Sequence, residues 1–166
     1  NGATTSTTGP TLTAGTQYYI MLDPESSAGG TVTFSIVCPA APFDPCSSIT
    51  NIAACGTSTS VTIASGTGAY SANACTFATP GKEKIYTFTP TTTGVYQIAQ
   101  TASFDYIDYS YKASSSGCSG TGWTCIQDLS GASTSTTGPT LTAGTQYYIM
   151  LDPESSLGGT VTFSIF

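Results

Sequence analysis

The segment TLTAGTQYYIMLDPESS occupies Thr11 to Ser27 and recurs unchanged at Thr140 to Ser156. The match is longer than this. It runs from Gly2 against Gly131 to Ile36 against Ile165 at a constant offset of 129, with only Thr4/Ser133 and Ala28/Leu157 differing. Residues 38–166 span one such period, so Cys38 to Phe166 reads as one complete repeat. Residues 1–37 then read as the end of a preceding repeat, or as strands given to a neighbour, within a tandem array. Duplication of a single hairpin is the simpler alternative.

Composition narrows the fold. Charged residues are 7% of the chain, where about a quarter is usual, and Thr, Ser, Gly and Tyr dominate, an all-β composition. Lys82, Lys84 and Lys112 are the only cationic side chains, and the net charge is -6. A nucleic-acid surface needs clustered cations to displace phosphate counterions, so nucleic acid is excluded as an expected partner. An anionic membrane surface is disfavoured for the same reason. No apolar run approaches the roughly twenty residues of a membrane-spanning helix, so membrane insertion is not expected.

Short alternating runs bounded by Gly, Pro, Ser and Thr carry the strand signature. They include STSVTIAS, with Val61 and Ile63 on one face, and EKIYTFTP, where Tyr86 and Phe88 share a face. TGVYQIAQ reads as the partner strand of EKIYTFTP. SFDYIDYSYKA and WTCIQDL follow, and TQYYIML and TVTFSI occur in both copies of the repeat. About eight strands in one period predict a two-sheet antiparallel sandwich of jelly-roll or Ig-like type.

Six cysteines, Cys38, Cys46, Cys55, Cys75, Cys118 and Cys125, point to disulfides and an oxidising, extracellular setting. Sequence alone leaves the connectivity open. Nearness along the chain favours Cys38 with Cys46, Cys55 with Cys75, and Cys118 with Cys125. Zinc is disfavoured, because close Cys pairs and His are both missing from the sequence.

The order of a Cys pair, GKEKIYTFTPTTTGVYQI, FDYIDYSYKASSSGCSGTGWTCI, LTAGTQYYIMLD and GGTVTFSI resembles the pre-peptidase C-terminal (PPC) type of β-sandwich domain, in the form repeated in large secreted bacterial surface proteins. The resemblance covers Cys55 to Ile165. Its most specific parts are the Cys118, Trp123, Cys125 loop and the AGT-x-YYI strand, and it departs in that these 166 residues include no attached catalytic domain. It implies a jelly-roll-like fold and an extracellular accessory or structural role at the cell surface. Some relatives hold Ca2+.

Residues 1–37 contain two runs with an apolar face, and an isolated hairpin is marginally stable at best in water. Those runs require partners, either in a preceding repeat or in a neighbouring molecule by strand addition. Both arrangements are linear, and a head-to-tail contact that does not close continues as a fibre. The sequence therefore predicts a structural unit of an extracellular filament, fibril or long adhesin stalk, with copies of itself or adjacent repeats as partners. A secreted carbohydrate-binding module, with glycans as partners, is the alternative.

Nucleophilic catalysis has no visible machinery, and the chain is not expected to be an enzyme. No cofactor is required. Asp105, Asp108, Asp128, Asp152 and Glu154, with Asp23 and Glu25 in the other copy, are candidate oxygen ligands for Ca2+, which takes six to eight. DPESS read simply as a turn is the plainer account. Asp105 and Asp108, three apart on a strand, would point to opposite faces. Tyr106, Tyr109, Tyr111 and Trp123 could stack on sugar rings, although a sandwich core also uses such residues against a disulfide. Thr4, Thr5, Thr7, Thr8, Thr134, Thr136 and Thr137 are candidate O-glycosylation sites, or simply a polar loop before a strand.

Overall fold

In a computed structural model, the structure describes residues 7–25, 27–70 and 74–166. The chain divides into two compact units, Asn1–Pro39 and Ala40–Phe166. Among its described residues, the second unit is all-β apart from two short 3-10 turns, Pro45–Ser48 and Ser114–Ser116. Among the described residues, no helix is long and apolar enough to cross a membrane.

The strands of the second unit are β1 Thr50–Ile52, β2 Thr59–Ile63, β3 Lys84–Phe88, β4 Gly94–Val95, β5 Ile98–Ala102, β6 Ile107–Ala113, β7 Thr124–Leu129, β8 Ser133–Thr134, β9 Thr140–Leu141, β10 Tyr147–Pro153 and β11 Gly159–Ile165. One sheet has the order β1-β3-β10-β6-β7 and the other β2-β11-β5-β8, with β4 and β9 paired separately. Except for the parallel β1 and β3, the pairs are antiparallel. The two last long strands in sequence are thus interior strands, β10 of one sheet and β11 of the other.

Period-two alternation decides what each strand buries. Tyr86 and Phe88 of β3, Ile107 and Tyr109 of β6, Ile149 and Leu151 of β10, and Val161, Phe163 and Ile165 of β11 converge in one core. Phe163 meets Tyr86 edge-on at 5.4 Å between ring centroids and Tyr109 at 5.6 Å, so its ring joins the two sheets. Edge-to-face rings gain about 0.5–1.5 kcal/mol beyond the area they bury. The buried Tyr109 hydroxyl donates to Gln100 Oε1 at 2.9 Å, and Gln100 Nε2 donates to the Gly131 carbonyl at 2.9 Å, so this polar pair is satisfied inside the core.

The strand beginning at Ile98 is not the partner of β3. Residues 89–97 carry the chain across the sandwich, and β5 pairs with β11 and β8 in the opposite sheet.

The disulfides also differ from the local pairing. Cys46 is bonded to Cys118 and Cys75 to Cys125, while Cys38 and Cys55 are free and exposed. The reason lies on the outer face of the β1-β3-β10-β6-β7 sheet, where the described parts of residues 64–83 lie over the strands. Gly66 N donates to Ser156 O, Gly81 N to Pro153 O, and Gly68 N to Pro80 O. Cys75 then meets Cys125 of β7. The bonds close separations of 72 and 50 residues, each contributing about 4 kcal/mol in the chain-entropy account.

In the Asn1–Pro39 unit, the described residues form no strand and are exposed. TQYYIML and TVTFSI alternate as strands should, but the ladders that make their second copies into β10 and β11 come from β3, β6, β2 and β5, strands that Asn1–Pro39 itself does not supply. The turn between Thr13 and Thr16 does form. Thr16 N donates to Thr13 O at 3.2 Å, Gly15 takes φ 78, and Thr13 N donates to the Tyr18 hydroxyl at 3.0 Å.

A buried row of carboxylates

The register of the outer face brings the acidic residues together. Asp108 of β6 stands opposite Asp152 of β10 on one side and Asp128 of β7 on the other. Directly opposed residues share a face, so three carboxylates form a row across three strands. Glu154 follows β10, its N–H donating to Tyr106 O at 3.1 Å, and two-residue alternation returns its side chain to the same face. One oxygen from each of Asp108, Asp128 and Glu154 lies within 4.8 Å of the others. Asp105 precedes β6 in a turn where Ser103 Oγ donates to Asp105 O at 2.7 Å. Because it is off the strand, the opposite-face expectation does not apply, and its charge raises the pKa values of Asp128 and Glu154.

Asp108 is 1% exposed, and among the described residues neither of its carboxylate oxygens has a hydrogen-bond partner. Asp128 Oδ1, Asp152 Oδ1, Glu154 Oε1, Ser110 Oγ and Ser155 Oγ are also buried without partners. Glu83 on the same face is different. It accepts from the backbone N–H groups of Ala69, at 3.0 Å, and Tyr70. Asp152 has one such bond, from Thr79 Oγ1 at 2.8 Å. Native structures leave few buried polar atoms unpaired, so the concentration of orphans around Asp108 marks the place.

Burial pushes the Asp108 carboxyl up to about 7, aided by the charges of Asp128 and Glu154; the Cys75 N–H moderates the rise without completing a hydrogen bond. Burial pushes Asp152 up to about 8, aided by Glu83 and Asp108 and opposed by the Thr79 bond. Asp128 and Glu154 are raised by burial first and by neighbouring carboxylates second. The lysines are engaged elsewhere. Lys112 Nζ donates to Ser119 O at 2.8 Å and Thr121 O at 2.9 Å and sits 4.5 Å from the Trp123 ring centroid. Lys84 reaches Ser48 O, and Lys82 lies over the Phe43 ring.

The set fits a hard divalent cation. Ca2+ binds oxygen at about 2.3–2.6 Å, so ligand atoms on opposite sides of the ion are about 4.6–5.2 Å apart. The row had no signal in sequence beyond the presence of Asp at 108, 128 and 152, because only the register brings them side by side.

The aromatic candidates are dispersed. Tyr109 is in the core, and Tyr111 is half-buried against Tyr147 at 6.3 Å. Trp123 packs beside Tyr148 with Lys112 on its face, and Tyr106 is exposed. These rings do not form a common flat platform. An open groove of about 430 Å3 runs along β7 past Phe77, Gln127, Asp128 and Thr137. Thr7, Thr8, Thr134, Thr136 and Thr137 are exposed, and the Thr136 N–H donates to Gln127 Oε1. Thr4 and Thr5 fall outside the described residues. Asp23 and Glu25 are exposed.

No protein-family model matches the chain, and no curated protein matches it. Among solved structures, the fold is similar to the pre-peptidase C-terminal domain of a collagenase from Bacillus anthracis. That domain shares 12% identity, with a TM-score of 0.48, covering 72% of this chain and 95% of that one. It is also similar to PliG, a periplasmic inhibitor of g-type lysozyme from Aeromonas hydrophila, at 13% identity and a TM-score of 0.43, covering 71% of this chain and 97% of that one. The likeness is one of β-sandwich fold.

Proposed function

We propose that this chain is a repeat unit of an extracellular structural protein, joined head to tail as a filament or surface stalk. In each unit, a segment equivalent to β9, β10 and β11 completes the sandwich begun by β1 to β8. One observation supports this reading most strongly. Residues that are core in one copy are bare in the other: Phe163 is 1% exposed and Phe34 56%, and Met150 is 0% exposed and Met21 82%. Burying Val32, Phe34, Ile36 and their neighbours in an equivalent slot would remove several apolar side chains from water at about 1.5–3 kcal/mol each. Electron microscopy of the native material tests the reading. Filaments with an axial repeat of roughly 30–50 Å, the size of one such domain, are expected, and the intact mass then separates a covalent array from strand exchange. Isolated particles without axial order would sink it. The carbohydrate-binding alternative is less favoured, since Tyr106, Tyr109, Tyr111 and Trp123 are dispersed.

The acidic row supports a second element of the proposal, that Asp108, Asp128 and Glu154 hold Ca2+, with Asp105 adding negative charge and Asp152 next in the row. Both unpaired, buried oxygens of Asp108 motivate it. Calorimetric titration with CaCl2 should show saturable binding that Asp108→Asn abolishes; heat no greater than dilution would reject it.

A further inference from the structure

We propose that Cys38 and Cys55 form a disulfide between successive units, latching the last strand of one sandwich through the first residue of the unit that follows. The proposal rests on the head-to-tail reading above. Four of the six cysteines are already paired within residues 40–166, and Cys38 and Cys55 are left, both exposed. Two cysteines left over in a chain that forms disulfides are a pair that can still be joined.

The end of β11 supplies the geometry. β11 stays extended to its end, since Phe166 N donates to Gln97 O at 3.1 Å and Gln97 N to Phe166 O at 3.0 Å. The antiparallel pairing with β2 sets Val161 opposite Val61 and Phe163 opposite Thr59. The ladder stops at Thr59, and Cys55 lies beyond it in a turn where Gly56 takes φ 77, so a contact rather than the register relates Cys55 to the position after Phe166. Gly56 N donates to Ile165 O at 2.6 Å, so the chain leading from Cys55 still touches β11 there. The repeat offset of 129 aligns Ile36 with Ile165 and Val37 with Phe166, so the residue that falls in that next position is Cys38. When the first copy occupies a β11 slot, Cys38 therefore arrives beside the Cys55 of the accepting sandwich. A disulfide spans Cα separations of about 4.4–6.8 Å, a range open to neighbouring chain segments already held by one backbone hydrogen bond, as Gly56 and Ile165 are.

The chemistry balances with a small-molecule disulfide as oxidant. One cysteine thiolate attacks a sulfur of oxidised glutathione and releases one glutathione thiol. The second thiolate then displaces the other glutathione from the mixed disulfide. The pair loses two protons and two electrons, and the oxidant is reduced to two thiols.

The test uses the full 166-residue chain with a copy of residues 38–129 placed ahead of Asn1, which gives the first hairpin its missing strands. Cys38→Ser in the added copy and Cys55→Ser in the chain's own unit leave one pair to form. After equilibration with oxidised and reduced glutathione and alkylation, peptide mapping should find the chain's Cys38 joined to the added copy's Cys55, with the link lost on reduction. The reciprocal design, which keeps the added copy's Cys38 and the chain's own Cys55, should give at least a tenfold lower yield. Hydrogen exchange separates the failures. Both thiols alkylated with Tyr18 to Leu22 and Val32 to Ile36 protected would overturn the latch and leave strand completion standing. Both alkylated with those amides exchanging freely would overturn the two together.

Discussion

The hairpin at residues 11–36 and its counterpart at residues 140–165 differ in sequence only at Ala28 and Leu157, yet their structures diverge. The second is the interior of two sheets; the first has no strand among its described residues. What they share is the four-residue turn. Gly15 and Gly144 take φ 78 and 75, Thr16 N and Thr145 N bond back to Thr13 O and Thr142 O, and Tyr18 and Tyr147 hydroxyls accept from the N–H groups of Thr13 and Thr142. Contacts that span five residues survive without a sandwich, whereas ladders that depend on distant strands do not. The comparison separates what is encoded locally from what is conferred by neighbours.

The strongest test of that separation is Phe163→Ala against Phe34→Ala. The first removes the ring that joins the sheets and should cost about 3–5 kcal/mol of unfolding free energy. The second should cost within about 0.5 kcal/mol. Denaturant unfolding of the full chain measures both, and equal losses would break the comparison. Calcium provides a second contrast. At a hundredfold excess over its dissociation constant, Ca2+ should stabilise the chain by about 2.7 kcal/mol. Glu154→Gln should remove that increment and Glu25→Gln should leave it, as read by thermal melts with CaCl2 or chelator.

Protonation sharpens it further. The folded carboxyls of Asp108 and Asp152 are raised, to about 7 and about 8, so the folded state holds protons that the unfolded state has already released. In chelator, the stability they contribute is present below about pH 4 and is lost as pH rises toward 7 to 8. The slope is at most about 1.4 kcal/mol per pH unit for each group. Asp152→Asn should flatten part of this profile. The smallest effect is expected at the shared turn. Tyr147→Phe and Tyr18→Phe should each speed amide exchange at Thr142 and Thr13 by a few-fold, consistent with one net hydrogen bond of about 1 kcal/mol. A change confined to one copy would show the turn is not locally encoded after all.

The alternation that revealed β2, β3, β6, β7, β10 and β11 was legible because one face of each strand is core. Pairing was less so. EKIYTFTP and TGVYQIAQ are adjacent in sequence, but the chain between them changes sheets. Nearness likewise misdirected the disulfides, since Cys75 reaches Cys125 only because its segment is laid over β7. The candidate site was legible as residue types and not as a site. Asp108, Asp128 and Asp152 come from three strands, and nothing short of the register places them in a row. The first copy's runs carry the strand pattern in full, and the pattern alone did not make them strands.

Placing β10 and β11 in the middle of both sheets has a consequence for the order in which the protein can be made. The residues synthesised last in a unit are the ones around which both sheets assemble, so a nascent unit has only partial ladders until its final thirty or so residues have left the ribosome, and its sandwich closes late.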